Sequence, residues 1–300
     1  MGEKEYEVVI MGTGPAGLQA AIHAARANAS VIILGRTAKS SLYRAHVENF
    51  CCLETIDGES LLQAGHLQAK QSGASFLSED VLDIERDGDW YQVTTEGDSR
   101  IKGRTLILAM GVSRNRLNVP GEKNLFGKGV SYCVDCDAGF YRGERVAVVG
   151  DESAAVAGAL TLLFYADQVH LITRGLKVIP LLADQVRQSD VQVHEGAWVQ
   201  SIAGQSQVEG LELDNGDRLE VGGVFIELGA KGAVELAGKL GVALDPETLT
   251  FIVTDKKQAT NIPGIFAAGD ICGPPWQVAK AVGEGCVAGL EAATYAKKFR

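Results

Sequence analysis

The chain has 300 residues, 46% of them hydrophobic and 22% charged, enough for about two domains of ~150 residues with sizeable cores. Its 36 glycines against 7 prolines indicate tight turns between strands and helices rather than disordered tracts. A net charge of −10 excludes a chain-wide basic footprint for nucleic acid or an anionic membrane.

The first stretch, MGEKEYEVVIMGTG, is acidic and lacks a signal-type apolar core, and Tyr6 breaks the myristoylation pattern. No apolar run reaches the ~18 residues of a membrane span, so the expectation is a cytoplasmic protein. Residues 8–10 predict a short buried strand, residues 15–29 an alanine-rich helix, and SVIILG the next parallel strand, a βαβ unit. At its turn, GTGPAG sets Gly12, Gly14 and Gly17 in the dinucleotide-binding pattern, followed by Pro15 and Ala16 at the helix start. Gly12 allows the tight turn, Gly14 lets backbone approach a pyrophosphate, and Gly17 lets helix and strand pack closely. The acid that ordinarily holds a ribose at the end of the second strand is missing, because VIILGR ends in Gly35 and Arg36. That argues against NAD and leaves FAD, with Arg36 near the adenosine end.

WYQVTTEGDSRIKGRTLILAMG predicts a hairpin leading into a buried strand. SYCVDCD then places Cys133 and Cys136 at the start of a helix, where the helix N-terminus favours a thiolate, with Asp137 as a proton donor to a departing sulfur. The competing assignment is half of a four-cysteine zinc site. No second Cys-x-x-Cys exists among the six cysteines, so no metal is expected and the pair is a redox dithiol. From Arg145 the strand–turn–helix–strand pattern repeats, but its turn reads VVGDESAA. Gly150 keeps the turn and Ala155 fits the packing position, while Asp151 and Glu152 stand where a phosphate would bind. Near the end, IPGIFAAGDICGPPWQVAKAVGEGCVAG predicts a strand, a loop and a long helix.

The order of GTGPAG, VENF, LILAMG, VPGE, CVDCD, VAVVG and IPGIFAAGD resembles the low-molecular-weight thioredoxin reductase family over nearly the whole chain. The resemblance implies an α/β fold of two FAD/NAD(P)-binding-like domains with central parallel sheets, the second inserted in the first: FAD domain over 1–116 and 246–300, dithiol domain over 117–245. It implies that Gly269 and Asp270 hold the flavin side chain and phosphate, that Gln277, Val278 and Ala279 touch the flavin ring, and that Asn49 fills the "EN" position. Val81, Gly111 and Trp276 complete the cofactor set, Trp276 in place of a usual arginine. By the same resemblance Cys136 is the sulfur nearer the flavin, Cys133 attacks the substrate disulfide, and Asp137 is the acid. Met110 replaces a threonine. Cys51 and Cys52 replace Pro-Gly and are expected to be two packed free thiols, with an auxiliary redox pair as the alternative. Cys272 and Cys286 are assigned to packing.

In the family the second turn binds NADPH. Here a carboxylate at ~5 Å from a phosphate charge opposes binding by roughly 3 kcal/mol at an effective dielectric of 20, and both acids are expected to satisfy the helix N-terminus themselves. The paired arginines that grip the extra phosphate are reduced to Arg174 and Lys177, and GAKGAV replaces a further NADPH segment. The expected enzyme therefore passes electrons from FAD to Cys133 and Cys136 and on to thioredoxin or a thioredoxin-like protein, as a homodimer. Its donor is ferredoxin or a reduced deazaflavin, as in relatives lacking these signatures. A docking face for an acidic ferredoxin would draw on Arg114, Arg116, Lys123, Lys128, Arg142 and Arg145, which otherwise are solvated surface charge. An NADPH-dependent thioredoxin reductase, a small-molecule dithiol oxidase and a non-turnover flavin sensor are the alternatives.

Overall fold

In the computed structural model, which describes residues 4–54, 56–111, 116–132, 134–228, 233–246 and 250–300, the first apolar run forms β1 (Lys4–Met11). The side chains of Asp135, Cys136 and Ala233 also lie outside the description. After β1 come α1 (Pro15–Arg26), β2 (Val31–Leu34), β3 (His46–Val47), β4 (Ile56–Asp57), α2 (Gly58–Gln71), β5 (Ser75–Leu77), β6 (Val81–Asp87), β7 (Trp90–Thr95) and β8 (Arg100–Leu108). The chain continues through β9 (Val130–Ser131), α3 (Val134–Asp137), β10 (Arg145–Val149), α4 (Ser153–Leu162), β11 (Gln168–Thr173), α5 (Pro180–Arg187), β12 (Gln192–Glu195), β13 (Val199–Ala203), β14 (Gly210–Leu213), β15 (Arg218–Leu219) and β16 (Gly223–Ile226). It ends with α6 (Ala233–Lys239), β17 (Ile265–Ala267) and α7 (Val278–Ala296). These elements divide into two compact units, 1–112 with 232–300, and 113–231.

The first unit is built on the strand order β5-β2-β1-β8-β7-β6, with β17 also on β8. Pairing is parallel from β5 through β8 and with β17, and antiparallel among β6, β7 and β8. Strand β8 divides its second edge: residues 100–103 pair with β7, and residues 106–108 with β17. The unbroken apolar runs follow from burial on both faces. Val8 and Ile10 enter one core with α1 and α7, while Val9 and Met11 enter another with Leu106, Leu108 and Leu236 of α6. The return of the chain to this unit therefore comes at α6.

Helix α1 stops at Arg26, earlier than the alanine-rich run predicts. Asn28 takes φ 64, and the Asn28 and Ala29 N–H groups return to the Ala25 and Ala24 carbonyls. This is a Schellman stop, in which asparagine stands in for the more usual glycine.

The second unit carries an all-parallel sheet, β12-β11-β10-β16-β9, and a separate antiparallel sheet, β13-β14-β15. Both units are thus α/β with parallel central strands. Among the described residues no helix is long and apolar enough to cross a membrane.

Candidate active site

In the first unit the three glycines of the 12–17 turn do different work. Gly12 holds φ +114, and a Cβ there would lie 2.2 Å from the Ala109 carbonyl oxygen. A Cβ on Gly17 would lie 1.9 Å from the Gly12 carbonyl oxygen. Both positions are closed to any side chain by backbone. Gly14 is different, since its Cβ would meet only the Ser40 hydroxyl at 3.4 Å. It caps α1 without a side-chain hydrogen bond, leaving helix N–H donors and open space, which is the cradle a pyrophosphate needs.

Small residues then draw the C-terminal segment onto this turn. A Cβ on Gly285 would meet the Ala16 carbonyl oxygen at 2.2 Å, and one on Gly289 the Ala20 carbonyl oxygen at 2.3 Å, so α7 crosses α1 at backbone contact. Gly269, at φ +87, packs on the Ala16 methyl. The structure thus brings Ala16, Gly269 and Asp270 together beside the N-terminus of α7, where Val278 and Ala279 lie. Gln277 caps that helix, and its Oε1 accepts from Asn49 Nδ2 at 2.8 Å. Trp276 is exposed. Burial pushes the Asp270 carboxyl up, with Lys280 partly offsetting it.

Lys280 and Glu284, which sequence reasoning missed, splint this loop. Lys280 Nζ donates to the Gly269 and Gly273 carbonyls at 2.8 and 2.7 Å and pairs with Glu284 at 3.1 Å. Glu284 in turn accepts from the Gly269 N–H at 2.8 Å. The Lys-x-x-x-Glu spacing in VAKAVGEG was the available signal.

At the end of β2, Arg36 binds the buried carboxylates of Asp80, at 2.6 Å, and Glu96, and Lys39 reaches Asp80 at 2.9 Å. Asp80 directly precedes Val81, so this cluster sits at the start of β6. Gly111 takes φ +69 with open space at its Cβ position. The open Gly14 cradle and the adjoining Gly269–Asp270 corner fit the FAD expected from the sequence.

In the second unit the corresponding turn keeps its backbone but not its cradle. A Cβ on Gly150 would lie 2.0 Å from the Glu227 carbonyl oxygen. Glu152 caps α4 with φ −117 and ψ −174, extended as Gly14 is at −77 and −178. A glutamate side chain therefore leaves from the position that Gly14 keeps clear. Asp151 accepts from Thr173 Oγ1 at 3.0 Å, the Arg174 N–H at 2.9 Å and Lys177 Nζ at 3.1 Å. Burial opposes its ionisation, but these bonds outweigh burial and hold the carboxyl below its usual range. The expectation that both acids cap the helix is corrected here: Glu152 makes no side-chain cap bond, and Asp151 turns to residues 173–177 instead. Arg174 stacks on Trp198 at 4.1 Å. Residues 229–232 of the GAKGAV segment lie outside the described residues.

Cys133 lies outside the described residues, and so does the side chain of Cys136. Their helix, α3, is anchored at both ends. The Val134 N–H donates to Glu227 Oε1 at 3.3 Å, and Ser131 Oγ donates to Asp137 Oδ2 at 2.7 Å. Val134 is buried and sits against Gly158, where a Cβ would come within 2.9 Å of it. Glu227, the lone acid in the apolar run VFIEL, was the overlooked signal, since a buried carboxylate needs partners. Immediately beyond, Phe140 is 82% exposed. Of the basic residues, Arg116, Lys123, Lys128, Arg142 and Arg145 are exposed, and Arg145 lies 3.7 Å from Glu220. Arg114 is outside the described residues. Cys272 packs against the first unit's core, and burial pushes its thiol up to about 12.

The family pattern described as "Pyridine nucleotide-disulphide oxidoreductase" matches residues 6–285. A thioredoxin reductase of Listeria monocytogenes is 33% identical over 310 residues, covering 99% of this chain and 96% of that protein. The atypical thioredoxin reductase TRi of Desulfovibrio vulgaris Hildenborough superposes with a TM-score of 0.86 at 35% identity, over 97% of this chain and 98% of that one. A ferredoxin-flavin thioredoxin reductase of Clostridium acetobutylicum superposes with a TM-score of 0.70 at 31% identity, over 99% of both.

Proposed function

Because the chain belongs to the pyridine nucleotide-disulphide oxidoreductase family, and is a flavin-dependent disulfide oxidoreductase of the thioredoxin reductase type, we propose that it reduces thioredoxin, or a similar protein disulfide, with electrons from ferredoxin or another donor that is not NAD(P)H. The family's cofactor is FAD. Residues of the 12–17 turn, Arg36, Asn49, Val81, Gly111, Gly269, Asp270 and residues 276–279 would hold it. Bound there, FAD would supply the electron pair needed to reopen a Cys133–Cys136 disulfide.

The protein's own groups carry the rest. Cys133 attacks the substrate disulfide, and one substrate sulfur leaves as a thiol. Cys136 then displaces the second sulfur, closing the Cys133–Cys136 disulfide and freeing the reduced substrate. Asp137, steadied by Ser131, gives the proton a departing sulfur needs. Phe140 offers a protein substrate an apolar contact beside the dithiol helix. The assembly is a homodimer in this reading, and Arg116, Lys123, Lys128 and Arg142 receive an acidic donor protein.

The observation that carries the choice of donor is the second turn. Glu152 projects where Gly14 leaves room, and Asp151 binds the Lys177 ammonium that a phosphate would need. The test is anaerobic mixing of the FAD-loaded protein with NADPH, NADH, reduced ferredoxin or reduced deazaflavin in turn. Reduced ferredoxin or deazaflavin is expected to bleach the flavin absorbance, and oxidised thioredoxin to restore it. Rapid bleaching by micromolar NADPH refutes the assignment.

A further inference from the structure

Between β3 and β4 the chain turns at residues 50–53. The Leu53 N–H donates to the Phe50 carbonyl at 3.1 Å, and Cys52 holds φ +72. This is the pattern of a type II turn, whose second and third positions favour proline and glycine because the third needs a left-handed backbone. Cys51 and Cys52 fill them instead. A left-handed L-residue costs on the order of 1 kcal/mol. The consequence is placement: neighbours that an extended strand would send to opposite faces lie together, with Sγ atoms 3.6 Å apart. Both residues are exposed, not packed. The loop is anchored, since β3 and β4 pair His46 with Asp57 and Val47 with Ile56, and Asn49 is hydrogen-bonded to Gln277.

The separation discriminates between two chemistries of a sulfur pair. A disulfide needs sulfurs at about 2.05 Å on Cα atoms usually 4.4–6.8 Å apart, whereas adjacent Cα atoms are fixed at about 3.8 Å, so direct closure is strained. A trivalent, pyramidal soft centre bonded to two thiolates at a length like the ~2.3 Å of zinc–thiolate bonds, with an angle of about 100° between them, sets the sulfurs about 3.5 Å apart. That is close to what the turn already holds. Among the described residues no group of three His, Cys, Asp or Glu side chains could hold a metal ion. The centre that fits must therefore bring its remaining substituent with it.

We propose that Cys51 and Cys52 form a chelating site for a thiophilic centre with two open valences, the class of monosubstituted trivalent arsenicals. Binding is a condensation without redox change. Two As–S bonds replace the two As–O bonds of R–As(OH)2, the two thiol protons leave with the hydroxyls as two waters, and arsenic stays trivalent. The site uses neither Cys133 nor Cys136.

The test uses phenylarsine oxide on the full chain carrying Cys133→Ser and Cys136→Ser, which removes the competing dithiol. Intact-mass spectrometry is expected to show one adduct per chain that resists excess glutathione and is released by 2,3-dimercaptopropanol. Adding Cys51→Ser should weaken that retention about 100-fold, the order by which a second tethered ligand raises avidity. Cys52→Gly restores the residue the turn favours, so it should lose the adduct equally while its melting temperature holds or rises. Absence of a glutathione-resistant adduct, or its survival in Cys52→Gly, overturns the proposal.

Discussion

Lys177 Nζ lies 3.1 Å from Asp151 Oδ2, and the Lys177 N–H returns to the Asp151 carbonyl at 2.7 Å. A cation and the acid that ends the βα turn are thus closed on each other. The lysine is 69% exposed, so the pair adds little stability. Its importance is occupancy, because the turn holds a fixed negative charge where the first unit's turn offers open space.

Removing both acids should reopen the pocket. Two carboxylates within ~5 Å of a phosphate each oppose it by about 3 kcal/mol at an effective dielectric of 20. Asp151→Ala with Glu152→Gly is therefore expected to tighten NADPH binding by roughly 100-fold or more. Titration followed by nucleotide fluorescence measures it. Unchanged binding would shift the cause from the acids to the missing arginine pair.

Lys280 ties the Gly269 and Gly273 carbonyls with one ammonium. Charged hydrogen bonds contribute about 1.5–3 kcal/mol each, and the loop they hold carries Asp270. Lys280→Met is expected to weaken FAD retention by roughly 10–100-fold while leaving the fold intact. Equilibrium dialysis of the flavin, beside a circular dichroism spectrum, separates cofactor loss from unfolding.

The glycine turns were legible because each is a backbone requirement. Gly12 and Gly17 are closed by carbonyl oxygens, and no other residue type would fit there. Apolar runs at 8–11 and 106–108 announced strands buried on both faces. What stayed hidden were partners distant in sequence. Asp80 and Glu96 reach Arg36 across 44 and 60 residues, and Glu227 reaches Val134 across 93. The capping role expected of Asp151 also failed, because Thr173, Arg174 and Lys177, which outcompete the helix end, lie on the following strand and loop.

Glu227 and Ser131 position the dithiol helix without reacting. Glu227→Ala removes a buried acceptor and leaves the Val134 N–H unpaired, which costs about 1–3 kcal/mol. Ser131→Ala frees Asp137 and should lower kcat up to about 10-fold, a net hydrogen bond being worth ~0.5–1.5 kcal/mol, with the KM for thioredoxin unchanged. Urea unfolding and steady-state kinetics on both variants read the two effects. Glu227→Gln, which keeps an acceptor oxygen, should recover most of the lost stability.

The second unit also carries an acid-sensitive pair. His170 Nδ1 and His194 Nε2 lie 2.9 Å apart on adjacent strands, a contact that requires one ring to accept. Burial, then the neighbouring His194 and Arg145, pushes His170 down to about 4, and burial lowers His194 as well. A histidine whose folded pKa is depressed leaves the unfolded chain binding more protons. The stability it contributes is present above about 6.5 and is lost as pH falls from there toward 4. The ceiling is about 3 kcal/mol, since each tenfold difference in proton affinity is worth about 1.4 kcal/mol. Urea midpoints at pH 7 and pH 4.5 should therefore separate widely for the parent protein, and His170→Asn should narrow the gap. An equal loss of stability in that variant would place the acid sensitivity elsewhere.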